Sequence, residues 1–448
     1  MSVALIILAA GKGTRMNSDM PKVLHPIAGA PMLVHAMNAG QALDLSHTVV
    51  IAGHGAEAVT KAALDHDEDA TVVLQTEQLG TGHAVMQARD ALAGFDGKAI
   101  VLFGDTPFMQ NETLQAMLDA PADVVVLGFE PEDTARYGRL VMDGTSLERI
   151  VEHKDATEAE RAITLCNGGV TCCPAPLMFE LLDKIGNDNA SGEYYLTDLV
   201  GLACAAGHSA TVVTCSEAET LGVNSRAQLA AADALFQTGA RAQLMEDGVT
   251  LVAPETVYLS LDTIIGRDTI VEPNVVFGPG VTIESGATIR AFSHLEGCHV
   301  ARGGIIGPYA RLRPGAELSE HVRVGNFVEI KNAQIAEGAK VNHLSYIGDA
   351  TIGEKTNIGA GTITCNYDGV MKHHTDIGDN VFIGSNTMLI APVTIGDGAM
   401  TGSGSVITSD VEPDALALAR APQVEKPGMA RKLFEMLKAK KARLSRSS

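Results

Sequence analysis

Hydrophobic positions along this chain change their spacing part-way through it. In residues 1–226, short aliphatic runs alternate with segments of helical pattern. Leu5–Leu8, Thr48–Ala52, Thr71–Leu74, Ala99–Phe103 and Val124–Gly128 have the length and branching expected of buried strands. Pro31–Leu43 and Asn111–Leu118 carry apolar residues at helical spacing. This alternation predicts a mostly parallel sheet with helices on both faces and ligands at the carboxyl ends of strands. Residues 227–247, rich in Ala, Gln and Leu, read as a linker helix broken near Gly239.

From residue 248 the period is six. Ile306, Leu312, Leu318, Val324 and Ile330 form one series, and Ile377, Ile383, Leu389 and Ile395 another. Between them Ile335, Val341 and Ile347, then Ile352 and Ile358, keep the period in a shifted register. An α-helix cannot hold a six-residue period on one face, whereas a triangular parallel β-helix places one repeat on each side. Residues 364–376 break the period and are expected to project as a loop. The tail from Lys426 carries eight Lys or Arg against Glu435 alone, and reads as a solvated, partly disordered end.

Composition narrows the function. A net charge of −21, 4% aromatic residues and no Trp argue against a nucleic-acid partner. No apolar run approaches the ~20 residues of a membrane span. The start lacks the pattern of a secretory leader, and the seven cysteines are odd in number without a CxxC pair. A cytoplasmic protein with reduced thiols is expected.

Candidate chemistry begins where the first strand ends. Leu8-Ala9-Ala10-Gly11-Lys12-Gly13-Thr14-Arg15 lets the backbone approach a ligand and sets cations beside it, with Lys22 following Pro21. The spacing is neither that of the nucleoside-triphosphatase loop nor that of the dinucleotide fingerprint. Asp105, in FGDTP, follows an apolar strand, where a carboxylate either caps a helix or meets Mg²⁺. The string LAAGKGTRM with PKVL resembles the signature of the sugar-phosphate nucleotidyltransferases. Further strings in order (QLGTGHA, YGR, VEHKDA, CNGG, GEYYLTD, GVNSR) and the repeats beyond them extend the likeness over nearly the whole chain. It resembles the family of bifunctional N-acetylglucosamine-1-phosphate uridyltransferases and glucosamine-1-phosphate N-acetyltransferases.

The resemblance implies an α/β fold in which a Rossmann-like nucleotidyltransferase domain (1–226) and a linker helix (227–247) precede a left-handed parallel β-helix with a basic tail (248–448). It implies a homotrimer that acetylates glucosamine 1-phosphate with acetyl-CoA. The second reaction then joins N-acetylglucosamine 1-phosphate to UMP from UTP, giving UDP-N-acetylglucosamine and pyrophosphate. For the uridylyl site it implies Leu8, Ala9, Ala10, Gly11, Arg15, Lys22, Gln75, Gly80, Thr81, Gly138, Glu152, Asn167 and Asn224, with Mg²⁺ on Asp105 and Asn224. For acetyl transfer it implies His343 as base, with Arg313, Lys331, Tyr346 and Asn357 around the sugar phosphate and acetyl group. Glu329 is expected to orient the imidazole. Ala360, Asn366, Tyr367, Ser385, Ser403 and Arg420, with Lys372, would hold the coenzyme. Ser403 stands where the family leads one to expect Ala, and Phe103 where Tyr is frequent. The adjacent His373 and His374 read as a solvated loop, with a metal site as the alternative. A rival reading keeps uridylyl transfer alone and makes the repeats a trimerisation scaffold; another makes the chain a sugar-nucleotide sensor without turnover.

Overall fold

The computed structural model describes residues 2–134 and 137–445. They fall into two compact units, Met1–Glu246 with Tyr258–Thr263, and Asp247–Val257 with Ile264–Ser448. Among the described residues no helix is long and apolar enough to cross a membrane.

The first unit is built on a twisted sheet. Its strands run in the order Ala210–Thr214, Val124–Phe129, Cys166–Pro174, Lys98–Phe103, Val3–Ala9, Leu45–Ala52 and Thr71–Leu74. All neighbours are parallel except Cys166–Pro174, which is antiparallel to both of its neighbours. The first strand is buried throughout and its side chains alternate between two cores. Ala4, Ile6 and Leu8 face one, while Leu5, Ile7 and Ala9 face the other. Both faces of a central parallel strand are covered, so the run is continuously apolar rather than alternating. An antiparallel hairpin, Arg139–Asp143 with Ser146–Val151, lies beside the sheet. Neither it nor the reversed strand Cys166–Pro174 is visible in the apolar pattern.

Helix Arg226–Glu246 runs through Gly239 without a break, contrary to the sequence reading. The helix also belongs to the first unit rather than lying between two bodies. Ala232 and Gln237 are buried, and Gln237 bonds both backbone groups of Leu259 at 2.7 and 2.9 Å. Leu261 donates to the Ala28 carbonyl at 2.8 Å.

The second unit is a stack of short parallel strands. Leu251, Val271, Ile289, Ile306, Val324, Val341, Ile358 and Ile383 lie in one column of paired registers. All eight are buried, as are Leu312, Leu318, Ile330, Leu389 and Ile395. The six-residue period is thus the core of a parallel β-helix, each side adding one aliphatic residue per coil. Segment 364–376 leaves strand Ile363–Cys365 and returns at Thr375–Ile377. The basic tail departs from expectation: Met429–Leu444 is a helix.

Candidate active sites

The first site lies at the carboxyl end of strand Val3–Ala9. A cleft of about 220 Å³ is lined by Leu8, Ala10, Gly11, Lys22, Gln75, Gly80, Thr81, Phe103 and Asp105, among others. Ala9 points its methyl into the opposite core and offers only its backbone. Two glycines fix the shape. Gly13 has φ +59, and a Cβ there would sit 2.5 Å from Cβ of Lys22. Gly80 has φ +113, and a Cβ there would meet the Tyr194 carbonyl oxygen at 2.6 Å. The missing side chains let the Lys22 and Tyr194 segments close on the loop.

The Lys22 ammonium donates to the Asp105 carboxylate and to Asn224 Oδ1, the latter at 3.0 Å. Arg15 donates to the same amide oxygen at 2.9 Å. Val223 N–H donates to the Asp105 carbonyl at 3.0 Å, tying the two oxygen-bearing segments together. Two hard oxygen donors therefore converge on one cation position. Mg²⁺ takes one or two protein oxygens and completes its shell with water and phosphate, so Asp105 and Asn224 fit such an ion.

A second hollow of about 640 Å³ adjoins the cleft, sharing Thr81 and Glu193 and adding Glu152, His153, Lys154, Ser191 and Tyr195. Glu152 lines it, and Gly138 and Asn167 lie beside that residue: a Cβ on Gly138 would lie 3.6 Å from both Asn167 Cβ and Glu152 Oε1. The Thr197 hydroxyl donates to Glu152 Oε1 at 3.2 Å. Burial pushes the Glu152 carboxyl above its ordinary value, Asp155 and Asp198 add to that, and the Thr197 bond and Lys154 oppose it. Gln75 bonds the Gly80 carbonyl at 3.2 Å and His83 Nδ1 at 3.0 Å, bracing the loop opposite.

In the β-helix, parallel register sets the second site. Asn326 pairs with His343, and the next coil aligns Lys340 with Asn357, which brings Ala360 level with His343. Asn386 N–H donates to the Ala360 carbonyl at 2.7 Å, Gly404 N–H to Ser385 at 2.8 Å, and Arg420 to Ser403 at 2.7 Å. Asn326, His343, Ala360, Ser385, Ser403 and Arg420 thus descend one edge of successive coils. The Ser403 contact uses its backbone oxygen, so the departure at 403 leaves that bond intact.

The neighbouring side carries the charged groups. Strand register aligns Arg311, Glu329 and Tyr346. Arg313 donates to Glu329 Oε1 at 2.8 Å, and Arg311 lies 3.6 Å from Glu329 Oε2. Asp349 is buried and accepts from Asn332 at 2.6 Å and from Asn366. Burial opposes its charge, yet the two amides with Lys331 and Lys372 hold its carboxyl below the ordinary range. Lys331 lies against Lys372 and pushes that ammonium down by hydrogen bonding and repulsion, which brings two cations to one spot. Tyr367 is 61% exposed and its hydroxyl turns to the Gly369 carbonyl at 2.6 Å.

One part of the sequence reading changes here. Glu329 is engaged by arginines, while the imidazole Nδ1–H of His343 donates to Asn326 Oδ1 at 3.0 Å. His373 and His374 part ways, the first to Asp368 at 2.7 Å and the second to Thr351 at 2.9 Å. No cluster of three or more His, Cys, Asp or Glu suited to a metal occurs among the described residues.

Comparison with known proteins adds the lineage. Residues 5–178 match the MobA-like NTP transferase domain, and residues 262–297 and 374–409 match the bacterial transferase hexapeptide (six repeats). "Bifunctional protein GlmU" of Roseobacter denitrificans is 72% identical over 450 residues, spanning 100% of both chains. The proteins of the same name from Ruegeria sp. TM1040 and Jannaschia sp. CCS1 are 71% and 62% identical, over 99% and 98% of this chain and 99% and 97% of theirs. The chain belongs to the bifunctional GlmU family. Within this GlmU-family chain, sequence reasoning missed Asn326, Asp349 and Thr197. Thr197 lies within the string GEYYLTD, which gives it no role of its own, and no string marks Asn326 or Asp349 as site residues. A strict six-residue count would set Gly325 against His343. The actual step from Val324 to Val341 is one residue short of three repeats and brings Asn326 there instead.

Proposed function

We propose how the two sites divide the work of this bifunctional enzyme. The β-helix acetylates the amine of glucosamine 1-phosphate with acetyl-CoA. The nucleotidyltransferase unit then transfers UMP from UTP to N-acetylglucosamine 1-phosphate. The observation that carries this reading is the presence, in separately cored units, of a cation-and-carboxylate cleft at a strand end and of one imidazole, held by an amide, on a β-helix edge.

In the first unit, a phosphate oxygen of the sugar attacks the α-phosphorus of UTP. The bond to the bridging oxygen breaks, and pyrophosphate leaves. Gly11 N–H and Arg15 hold the triphosphate, and Lys22 offsets charge growing at the α-phosphate. Gly80, Thr81 and Gln75 meet the uracil edge, while Gly138, Glu152 and Asn167 receive the sugar. Asp105 and Asn224 would hold Mg²⁺, which when bound supplies charge neutralisation of the triphosphate. Positioning is the rest of the catalysis, because no covalent intermediate is needed.

In the second unit, the amine attacks the thioester carbonyl and the C–S bond breaks. His343 Nε2 takes a proton from the nitrogen and returns it to the leaving thiolate. The Asn326 amide oxygen can only accept, so it keeps the proton on Nδ1 and leaves the Nε2 lone pair free. Arg313, Lys331 and Tyr346 hold the sugar phosphate, with Asn357 beside them. Ala360, Asn366, Tyr367, Ser385, Ser403 and Arg420 line the coenzyme path, with Lys372 from the projecting loop. A trimer packed through the flat β-helix sides fits a coenzyme laid along a coil edge. Seven free thiols fit a reducing cytoplasmic setting.

A coupled assay tests the whole reading. Glucosamine 1-phosphate, acetyl-CoA, UTP and Mg²⁺ should give UDP-N-acetylglucosamine, coenzyme A and pyrophosphate. Turnover of N-acetylglucosamine 1-phosphate without any acetylation of glucosamine 1-phosphate would leave only the scaffold reading.

A further inference from the structure

Three polar side chains lie one above another at a corner of the β-helix, and the middle one, Asp349, belongs to neither set of substrate contacts. Lys331 pairs with Gly348 and Ala333 with Ala350, which sets Asn332 level with Asp349. Asn332 Nδ2 donates to Asp349 Oδ1 at 2.6 Å. Asn366, one coil further on, donates through its Nδ2 to Asp349 Oδ2. The ladder is therefore amide, carboxylate, amide. Asn332 and Asp349 have φ of +45 and +49, in the left-handed region that Asn and Asp enter more readily than other side chains. Asp349 and Asn366 are each 7% exposed.

Stability alone does not account for a carboxylate there. A buried charge carries a desolvation cost, and apolar side chains of similar volume often serve a fold as well or better. The effect of this one lies in what it fixes. A carboxylate can only accept, so both amides must turn their nitrogens toward it. The Asn366 backbone is held too: its N–H donates to the Thr364 carbonyl at 2.9 Å, and its carbonyl accepts from His373 N–H at 2.8 Å. The Asn366 Oδ1 then faces away from Asp349 and receives no bond among the described residues. An outward oxygen accepts from an amide N–H, whereas an outward NH2 would meet it donor to donor. The two amides, with Lys331 and Lys372, keep Asp349 in its charged, accepting form.

We propose that Asp349 is a positioning residue for acetyl transfer, holding the Asn366 amide with its oxygen toward the coenzyme, where it accepts an amide N–H of the pantetheine arm. The proposal rests on the reading that Asn366 lines the coenzyme path.

Kinetics of the full chain test it. Asp349→Gly suits the positive φ and frees the Asn366 amide. KM for acetyl-CoA should rise about fivefold, the cost of ordering one side chain on binding, with kcat held and no rise in KM for glucosamine 1-phosphate. Asn366→Ala removes the acceptor and should raise KM for acetyl-CoA about tenfold. The two changes together should do no more than Asn366→Ala alone, because one acts through the other; a merely structural Asp349 would multiply them to about fiftyfold. Asn332→Gly removes the other amide, leaves Asn366 in place and should keep the native KM. If Asp349→Gly does not fold, Asp349→Asn with Asn366→Asp carries the test. That pair keeps the ladder bonded with a carboxylate oxygen outward, so near-native KM is expected and a tenfold rise refutes the proposal. An unchanged KM for acetyl-CoA in Asp349→Gly would overturn it, as would multiplying effects in the double variant. An equal rise in KM for the sugar phosphate would assign Asp349 to the lysine pair and overturn it as well. A native chain without acetyl transfer would instead defeat the underlying reading.

Discussion

Replacing Asn326 by Leu tests the acetyl site at the contact that selects the tautomer of its base. Leucine keeps the bulk of the amide and removes the acceptor. A neutral hydrogen bond has a net worth of about 0.5–1.5 kcal/mol. The bond here is 3.0 Å long, between an exposed imidazole and a half-buried amide. Water competes for the freed N–H, so the lower part of the range applies, about 0.5–1 kcal/mol. That is a two- to fivefold fall in kcat for acetyl transfer, by the relation of about 1.4 kcal/mol per tenfold. KM for acetyl-CoA and for glucosamine 1-phosphate should hold, and uridylyl transfer should not change. Thiol release from acetyl-CoA gives the rate, and ¹⁵N shifts of the His343 ring give the tautomer. The native ring should carry its proton on Nδ1, and the variant should show a mixture. Glu329→Gln provides the contrast. Glu329 engages Arg313 and Arg311, so its loss should raise KM for the sugar phosphate at constant kcat. A variant Asn326→Leu with full kcat and an unmixed Nδ1–H ring would refute the assignment.

Other outcomes follow from the same geometry. Asp105→Ala should abolish pyrophosphate release and spare acetyl transfer, and His343→Ala should do the reverse; loss of both activities in either folded variant would contradict independent sites. Gly13→Ala should cost about 1–3 kcal/mol of stability through its positive φ, and should depress uridylyl transfer by displacing Lys22, read by thermal melting and pyrophosphate release. Glu152 carries a carboxyl pushed up by burial, so the folded state binds its proton more tightly than the unfolded chain. Stability from that group is present at low pH and falls as pH rises through the carboxylate range towards the raised value. Glu152→Gln should therefore raise the melting temperature at pH 7, with a gain that vanishes near pH 4, while weakening sugar binding. Light scattering of the full chain at micromolar concentration should give a trimer; a monomer would contradict the packing through β-helix sides.

The two halves were legible to different degrees, for physical reasons. A six-residue period reports the core of the β-helix directly, because each buried aliphatic residue repeats the same environment once per side. Val324, Val341 and Ile358 needed no other information. In the first unit the apolar runs gave the parallel strands, but Cys166–Pro174 and the hairpin of Arg139–Asp143 with Ser146–Val151 did not show. A strand buried on both faces carries no alternation to reveal its direction. The helix through Gly239 shows the same limit from the other side. One glycine costs about 1 kcal/mol in a helix, and the packing around Ala232 and Gln237 outweighs it.

Site residues divide along a similar line. Those of the first unit come from segments spread between Leu8 and Asn224, gathered at strand ends, so no local pattern predicts that Asp105 and Asn224 meet. Resemblance supplied that pair, and the Lys22 bridge gives it a physical form. Residues of the second site are spaced by coils, so their meeting is a matter of counting, and one residue changes the answer. The step of 17 between Val324 and Val341 sets the amide of Asn326, not a glycine, against His343. Register in a β-helix thus does the work that loop geometry does in the sheet. Within a strand, a slip of one residue turns outward side chains inward, so such changes are confined to corners and to segments such as 364–376. There the chain leaves one coil after Ile363–Cys365 and re-enters at Thr375–Ile377 with the core column unbroken. That loop brings Lys372 to Lys331 and Asn366 to Asp349, which a continuous repeat has no free backbone to do.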